Sequence, residues 1–376
     1  MPLCTPYIHG AEWDYVKDCL DSGWVSYVGS YVERFEKEFA AKIGMARAVA
    51  TTSGTAALHL ALLAAGVEPD DEVIVSALTF IAPVNAIRYV GAHPVLVDAE
   101  PQFWQMDVGL VESFLNGNCE RRGTELFNKR SGRRVKAIVP VHILGHPVDM
   151  APLLDLARLH GLAVIEDATE SLGAAYRGRK IGSMGDLSCF SFNGNKLLTT
   201  GGGGMVVTSS QKKADWVRYL STQAKDDPLE YVHENIGYNY RLTNVQAAIG
   251  CAQLEQCDAY VENKRQIATR YRHAFANRDG ITAMPEAEWA ESAFWLYTVL
   301  LDGDSRPVLR ALERQNIQTR PLWQPIHLNT PYRGFEVLGG EVAEDLCRRC
   351  LSLPCSVNLT EAEQERVVSA LLDAVS

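Results

Sequence analysis

Short apolar runs alternate with helix-forming stretches between about residues 31 and 250, and this alternation restricts the fold more than any other feature. Runs of this kind are typical of buried strands, and the stretches between them are long enough to form covering helices. Alternation of strand and helix patterns indicates an α/β sheet. We predict sheet strands over residues 46–51, 72–76, 93–97, 135–141, 163–166, 187–192 and 203–208.

The chain has 376 residues, which exceeds the usual length of one domain. We therefore predict a large domain over 1–250, beginning with an extended arm and a helix near 11–20, and a smaller domain over 251–376. A long amphipathic helix over about 244–276 is predicted to connect them. A strand at 294–301 and a helix near 361–374 are predicted to follow, and the locally basic stretch 120–134 is interpreted as a solvated loop or helix end.

Composition excludes several classes of protein. The formal net charge is −10, and no long basic run offsets it, which argues against a nucleic-acid partner. The nine cysteines are scattered, and Cys347-x-x-Cys350 lacks a second pair or nearby histidines, so we expect no metal site and reduced thiols. With neither a signal-peptide pattern nor an apolar run of membrane-spanning length, we expect no membrane association and a cytoplasmic location.

Lys196 stands out among the lysines because of its neighbours. It follows the aromatic run Phe190-Ser191-Phe192, which is typical of a strand end, and the glycines Gly201 to Gly204 come shortly after it. Small residues allow other groups to approach closely. Burial favours the neutral amine of a lysine, which can form a Schiff base with an aldehyde cofactor, and pyridoxal phosphate (PLP) is the leading candidate. The alternative is an ordinary surface lysine.

A carboxylate for the pyridine nitrogen of PLP is predicted at the end of the run Leu162 to Ile165. Glu166 and Asp167 follow that run, and ligands of open α/β sheets bind at the carboxyl ends of the strands. Side chains alternate along a strand, so we assign Asp167 to the ligand and expect Glu166 to point the other way. The alternative is that Asp167 caps the next helix.

A phosphate site is predicted where residues 50–58 enter a helix-forming stretch. Amides at a helix N-terminus bind anions, which makes Ser53, Gly54, Thr55 and Ala56 candidates, although an ordinary helix cap explains the same pattern. Ser191 could add a hydroxyl.

Two further segments could complete the cofactor site. Phe80, after a predicted strand, could stack on the pyridine ring or be a core residue. The segment 237–244, Gly-Tyr-Asn-Tyr-Arg-Leu-Thr-Asn, could close the site or simply begin a helix.

Together these motifs resemble the DegT/DnrJ/EryC1/StrS family of sugar aminotransferases, over nearly the whole chain. Within that family the chain is most similar to the branch acting on UDP-linked 4-keto-6-deoxy sugars in bacillosamine and legionaminic acid pathways. The matching segments are 12–16, 24–26, 53–58, 166–170, 190–196, 199–204, 221–224, 237–244 and 318–323. Dehydratases of the wider family have histidine in place of Lys196, so the lysine disfavours that activity.

The resemblance implies roles for individual residues. Lys196 resembles the lysine that binds PLP covalently, Asp167 resembles the partner of the pyridine nitrogen, and Glu170 falls near the cofactor ring and its 3′ oxygen. Phosphate contacts are implied for Gly54, Thr55, Ala56 and Ser191, and Asn239 resembles an asparagine that the partner subunit contributes to the phosphate. Arg320 and His327 resemble substrate-pocket residues. Because the net charge repels an anionic sugar nucleotide, Arg241 is a further candidate cation.

The resemblance also implies an architecture and a reaction. The expected fold is PLP-dependent transferase fold type I, like aspartate aminotransferase, with a mixed central sheet in the large domain and a smaller C-terminal α/β domain. The expected enzyme is a homodimer with a shared active site that moves an amino group, with glutamate as donor, to UDP-4-keto-6-deoxy-N-acetylglucosamine. The alternatives are a 3-keto sugar, a GDP- or dTDP-linked keto sugar, and a non-catalytic regulatory relative.

Overall fold

A ten-stranded mixed sheet lies at the centre of the fold in the computed structural model, which describes residues 1–227 and 229–375. The strands, in chain order, are β1 Arg47–Thr51, β2 Glu72–Ser76, β3 His93–Val97, β4 Cys119–Arg122, β5 Glu125–Asn128, β6 Arg134–Val139, β7 Ala163–Asp167, β8 Ala175–Tyr176, β9 Arg179–Lys180, β10 Leu187–Ser191, β11 Gly204–Thr208, β12 Ile281–Thr282, β13 Ala290–Glu291, β14 Tyr297–Leu301, β15 Arg320–Pro321, β16 Glu336–Leu338 and β17 Cys350–Leu353.

Helices cover the sheet and connect most of its strands. In chain order they are α1 Glu12–Ser22, α2 Ser30–Ile43, α3 Gly54–Ala64, α4 Ala82–Tyr89, α5 Val108–Ser113, α6 Met150–His160, α7 Gln211–Ser221, α8 Asn244–Glu255, α9 Cys257–Phe275, α10 Ser305–Arg314, α11 Glu341–Arg349 and α12 Glu361–Val375. Within residues 1–227 and 229–375, none of these helices combines the length and the apolar character that a membrane span requires.

The central sheet is parallel except at the β1 edge and at the hairpin of β4 and β5, where β5 pairs antiparallel with β6. Its strand order is β1-β11-β10-β7-β6-β2-β3-β16, and the pairs from β10 to β16 are parallel, whereas β11 is antiparallel to both β10 and β1. All seven strands predicted from the sequence are confirmed, with ends that differ by at most two residues. The predicted α/β class and mixed central sheet are therefore confirmed.

Both faces of the sheet are buried, because successive side chains of a strand point to opposite sides. In β2, Val73 and Val75 belong to one apolar cluster and Ile74 to the other. In β3, Leu96 joins the first cluster, whereas Val95 and Val97 join the second. Because both faces of the sheet are covered, polar side chains can reach a ligand at the ends of the strands.

A second, four-stranded sheet lies in the C-terminal part of the chain, in the order β12-β14-β17-β15. However, β16 pairs with β3 at the edge of the central sheet, and β13 pairs with β8. Chain after residue 250 therefore contributes strands to both regions, and the division into domains at residue 250 stays a prediction.

Three sequence-based assignments are corrected by the structure. The predicted helix over 244–276 is two helices, because the backbone turns at Gln256. The stretch 120–134 was predicted wrongly as a loop or helix end: it holds the hairpin of β4 and β5, which Leu126 anchors in the apolar core. The strand predicted at 294–301 begins at Tyr297, because Phe294 has a φ of 45°, which interrupts extended backbone.

Candidate active site

A cavity of about 390 Å³ opens where the carboxyl ends of β7 and β10 meet the N-terminus of α3. This position agrees with the general placement of ligands in open α/β sheets. The predicted site residues that line the cavity are Gly54, Thr55, Phe80, Asp167, Glu170, Ser191 and Lys196. Segments that are far apart in sequence thus bring an amine, two carboxylates and a helix N-terminus to one place.

Lys196 lies in the turn that follows β10, with its side chain in the cavity. Its Nζ is 3.6 Å from Glu170 Oε1 and 3.8 Å from the centroid of a ring of Trp295. The indole N–H of Trp295 donates to the carbonyl oxygen of Asn195 at 2.7 Å. Trp295 therefore contacts the lysine through its ring and fixes the adjacent backbone through its N–H, so the amine is held in one part of the cavity.

The neighbouring carboxylates Glu166 and Asp167 occupy opposite faces of β7, as strand alternation predicts. Asp167 lines the cavity and accepts the Thr169 N–H at 3.1 Å, and burial raises the pKa of its carboxyl. Glu166 points into the protein, where it pairs with His142 at 3.3 Å. Its other donors are the N–H groups of Gly182, Met184 and Gly185 and the hydroxyl of Ser188.

These different surroundings give the two groups different tasks. Burial opposes the ionisation of Glu166, but its hydrogen bonds with His142 and the amides outweigh burial, so its pKa is lowered. Glu166 is a satisfied structural anion. Asp167 is a buried acid with few protein donors, and a positively charged ligand group would stabilise its ionised form.

The N-terminus of α3 forms the other end of the cavity. Ser53 caps the helix, since its Oγ accepts the Ala56 N–H at 3.1 Å. A Cβ added to Gly54 would lie 2.8 Å from the Cβ of Ser191, and one added to Gly204 would lie 2.4 Å from the carbonyl oxygen of Ser53. Glycine is therefore needed at both positions for the turn before α3 to pack between β10 and β11.

This arrangement can hold a phosphate group. Gly54 and Thr55 begin the helix beside the hydroxyl of Ser191, and helix N-terminal amides attract anions. Ala56 does not line the cavity, and its N–H is already occupied by Ser53. The predicted phosphate site is thus narrowed to the first helical residues and the neighbouring hydroxyls.

Besides Ala56, four predicted residues do not line this cavity. Arg241 is buried in ion-pair contact with Glu36 at 2.7 Å and also donates to the carbonyl oxygen of Ala50, so its contacts are structural. Arg320 is exposed and donates to the carbonyl oxygen of Thr319. His327 pairs with Glu344 at 2.9 Å. Asn239 is exposed, with its backbone bridged to Thr222.

Several cavity residues were not predicted from the sequence. Trp295 comes from the segment before β14, and Thr169, Asn193 and Asn195 lie close in sequence to predicted residues. The segment 319–327 does reach the cavity, but through Trp323 rather than through its arginine or histidine. Thr169, Asn193 and Asn195 could have been found from the sequence, because they lie within a few residues of Asp167 or Lys196. No neighbouring sequence feature identifies Trp295 as a cavity residue.

Glu170 has an unusual protonation equilibrium. Burial raises the pKa of its carboxyl to about 7, although the Lys196 ammonium and the Leu144 N–H, which donates at 2.9 Å, favour the ionised form. The neighbouring Asp167 carboxylate adds to the rise. Near neutral pH this group can therefore hold or release a proton beside Lys196.

We expect Glu170→Gln to stabilise the cofactor-free protein more at pH 8 than at pH 5. A carboxyl with a raised pKa destabilises the folded state above its unfolded-state pKa, and this cost is complete above about 7. The glutamine removes a cost on the order of 3 kcal/mol, present at pH 8 and small at pH 5. Thermal unfolding of both proteins at both pH values measures this difference, and an equal effect at both values would contradict the raised pKa.

The residues present fit PLP. Lys196 supplies the amine, Asp167 supplies a buried carboxylate for the pyridine nitrogen, and the start of α3 supplies donors for the phosphate. Phe80 and the two tryptophans, Trp295 and Trp323, add flat apolar surfaces to the cavity wall. The donor set therefore matches an aldehyde cofactor that carries a phosphate and a basic ring nitrogen.

Comparison with known proteins gives the same result over the whole chain. The model of the DegT/DnrJ/EryC1/StrS aminotransferase family matches residues 6–372. A GDP-perosamine synthase of Caulobacter vibrioides is 41% identical over 374 residues, covering 98% of this chain and 96% of that protein. A GDP-perosamine synthase of Escherichia coli O157:H7 is 40% identical, covering 96% and 95%. The solved structure of S. venezuelae DesV is 34% identical, with a TM-score of 0.87 and coverage of 97% and 94%.

These relatives revise one prediction and confirm others. The UDP-linked branch inferred from the sequence is not supported by their names, which refer to a GDP-linked sugar. The predicted family, PLP and the aminotransferase class are confirmed by the family match and the solved neighbour. With Lys196, Asp167 and the N-terminus of α3 in one cavity, the chain belongs to the DegT/DnrJ/EryC1/StrS family and is a PLP-dependent sugar aminotransferase.

Proposed function

We propose that the enzyme transfers an amino group from glutamate to the 4-keto carbon of a GDP-linked 4-keto-6-deoxy sugar. The observation that carries this proposal is the whole-length similarity to two GDP-perosamine synthases, combined with a cavity that contains the amine and the acid of an aminotransferase. The UDP-linked N-acetylated sugar expected from the sequence is the competing acceptor, and the substrate test below separates the two.

The mechanism divides between the cofactor and the protein. PLP, when bound, supplies an electron sink for the carbon that loses or gains the amino group. Lys196 supplies an amine at the centre of the cavity that takes a proton from the reacting carbon and returns it. The contact with Trp295 at 3.8 Å restricts where that amine can lie. Asp167 would hold the ring nitrogen of bound PLP in its protonated form, because opposite charges in a buried site stabilise each other.

Glu170 is placed to share a proton with Lys196, at 3.6 Å from its Nζ. Because the pKa of Glu170 lies near 7, both of its protonation states are accessible under ordinary conditions. Its Oε2 is fixed by the Leu144 N–H. Glu170 thus sets the charge around the amine and acts as a positioning residue for the proton transfers of Lys196.

The cavity of one chain has few cations for a sugar nucleotide. Among the described residues that line it, Lys196 is the one cationic side chain. A nucleotide diphosphate requires charge-assisted donors, and a chain of net charge −10 repels it elsewhere. This deficit is a reason to propose that a second copy of the chain completes the site.

Exposed apolar side chains support assembly into a homodimer. Trp13 on α1 is 76% exposed and Ile236 is 85% exposed, and their neighbours Trp24, Tyr231 and Leu229 are also exposed. Apolar surface of this extent on a monomer indicates a protein interface. Trp24 lies at the start of α8, where Asn244 donates to its carbonyl oxygen. We propose that this surface packs against the same surface of a second copy, with Asn239 reaching the partner's phosphate site.

We expect that mixing the variants Lys196→Ala and Asn239→Ala restores activity that neither has alone. If each site takes its lysine from one chain and its asparagine from the other, a mixed dimer contains one intact site and one doubly altered site. When equal amounts of the two variants are refolded together, about half of the dimers are mixed, so about one site in four is intact. Activity should therefore rise toward about one quarter of the wild-type value. Absence of any rise, with mixed dimers verified by mass spectrometry, would place both residues in the same chain's site.

The enzyme's preference among nucleotide-linked keto sugars tests the proposed function. Purified enzyme should convert a GDP-linked 4-keto-6-deoxy sugar in the presence of glutamate, with a kcat/KM at least about tenfold above that for the UDP- and dTDP-linked 4-keto sugars, a difference of roughly 1.4 kcal/mol. Mass spectrometry of the amino-sugar product provides the readout. Preference for the UDP-linked N-acetylated sugar would overturn the GDP assignment while leaving the aminotransferase class intact.

A further inference from the structure

Two cysteines meet beneath the N-terminal arm, outside the PLP cavity. The arm runs beside the segment that follows β17: the Cys355 N–H donates to the carbonyl oxygen of Leu3 at 2.9 Å, and the Thr5 N–H donates to Ser356 Oγ at 3.0 Å. Between these two bonds, Cys4 and Cys355 lie side by side on the two segments. Residues about 350 positions apart thus form a thiol pair that no step of the transamination uses.

A buried lysine completes this cluster. Lys264 on α9 is only 1% exposed. Its Nζ donates to the carbonyl oxygen of Trp295 at 2.7 Å, to the carbonyl oxygen of Cys355, and to Cys355 Sγ at 3.4 Å. These contacts, within the part of the chain that the structure describes, include no carboxylate. A buried ammonium group is costly without an anion beside it, and the sulfur of Cys355 is the group that can supply one.

The two thiols therefore differ in character. The neighbouring Cys4 thiol and the positive charge of Lys264 lower the pKa of Cys355 to about 6, although burial acts in the opposite direction. The neighbouring Cys355 sulfur and then burial raise the pKa of Cys4. These opposite shifts in pKa favour the thiolate at Cys355 and the protonated thiol at Cys4, an arrangement typical of redox-active cysteines.

We propose that peroxides oxidise Cys4 and Cys355 to an intramolecular disulfide, and that this modification inactivates the enzyme. The Cys355 thiolate attacks one oxygen of hydrogen peroxide, the O–O bond breaks, and the released hydroxide takes a proton to become water. The sulfur of Cys4 then attacks the resulting sulfenic acid, the S–O bond breaks, and the thiol proton leaves with the hydroxide as a second water. Two thiols are oxidised while one peroxide is reduced to two waters.

The other cysteines lack this combination of features. Cys19, Cys119, Cys189, Cys251, Cys257 and Cys350 are buried, and burial raises the pKa of each. Cys347 is half-buried like Cys4, but its sulfur contacts the carbonyl oxygen of Leu322 and the guanidinium of Arg306 instead of a second thiol. Cys4 is half-buried, so a small peroxide can approach the pair from its side.

The thiol pair is connected to the catalytic lysine through two hydrogen bonds. Cys4 Sγ donates to the carbonyl oxygen of Asn195 at 3.5 Å, and that oxygen also accepts the indole N–H of Trp295. Asn195 precedes Lys196, and Trp295 contacts its amine. A disulfide removes the Cys4 S–H donor and the anion that faces Lys264, which in turn holds the backbone of Trp295. Oxidation therefore disturbs the supports of Lys196.

The test treats the PLP-loaded enzyme with hydrogen peroxide and maps its peptides without reduction. We expect a linked pair containing Cys4 and Cys355, together with loss of aminotransferase activity that dithiothreitol restores. Cys4→Ser cannot form the disulfide, so under the same treatment it should lose less activity than the wild type and should accumulate a sulfenic acid at Cys355 that dimedone traps. Cys347→Ser, the matched control at a half-buried thiol, should lose activity as the wild type does.

Two results would overturn the proposal. One is a map in which oxidation falls on other cysteines or links Cys355 to Lys264 instead of to Cys4. The other is a Cys4–Cys355 disulfide that leaves the activity unchanged. The activity measurement rests on the proposed function, but the peptide map does not, and enzyme that is inactive before oxidation would count against the proposed function alone.

Discussion

Lys196→Ala is expected to lower turnover by ~10⁴-fold, the upper range for loss of a general acid–base group, and to abolish covalent retention of PLP. The expectation rests on the position of the Lys196 amine between Glu170 and Trp295, in the cavity that also contains Asp167. Mass spectrometry after borohydride reduction measures cofactor retention, and a steady-state assay with glutamate and the keto sugar measures turnover.

Lys212→Ala is a suitable control, because Lys212 is an exposed lysine at the start of α7, away from the cavity. It should retain both PLP and activity. If the Lys196 variant still carried PLP after borohydride reduction, a different lysine would have to hold the cofactor, and the assignment of the cavity would be wrong.

Asp167→Asn is expected to lower the rate by ~10³-fold while leaving the fold intact. Opposite charges about 4 Å apart attract by about 4 kcal/mol at an effective dielectric near 20, and each 1.4 kcal/mol corresponds to about tenfold in rate. The amide cannot supply that charge. Because burial raises the pKa of Asp167, removal of its charge should not destabilise the cofactor-free protein. Single-turnover absorbance measurements and thermal unfolding report the two effects separately.

Glu166→Gln provides the matched comparison, since Glu166 is the next residue and lies on the opposite face of β7. It should cost about 3 kcal/mol of folding stability, because the buried hydrogen bonds that stabilise the Glu166 carboxylate are broken. The lowered pKa of Glu166 means that this stability is present at neutral pH and is lost as the pH falls through the acidic range. Near wild-type rates in the Asp167 variant, or a larger rate loss in the Glu166 variant, would reverse the two assignments.

Predictions that depend on local pattern were the accurate ones. The run before Asp167 has the apolar composition of a buried strand, and the two-residue period of a strand separates Asp167 from Glu166 without any knowledge of tertiary contacts. The turn at Ser53 and Gly54 likewise combines a helix cap with a glycine, and the structure shows both the cap and the close approach to Ser191. Lys196 follows β10 as its aromatic run indicated.

Predictions that required knowledge of distant partners were less accurate. Arg241 has a plausible sequence context for an anion-binding cation, yet Glu36, 205 residues earlier in the chain, occupies its guanidinium. Arg320 and His327 lie in a segment that does reach the cavity, but the side chain of that segment that lines the cavity is Trp323. The hairpin of β4 and β5 forms because Leu126 finds a place in the core, which a locally basic sequence does not reveal.

The sequence by itself determined the strands, the helix that begins at the phosphate site, and the chemical identity of the amine and the acid. Only the tertiary structure decided that Trp295 covers Lys196, that Glu170 shares a buried site with it, and that Cys4 meets Cys355 and Lys264. The physical reason is the range of the interactions. Strand and helix patterns depend on residues within a few turns of each other, whereas burial, pKa shifts and cavity walls depend on which distant segments the sheet brings together.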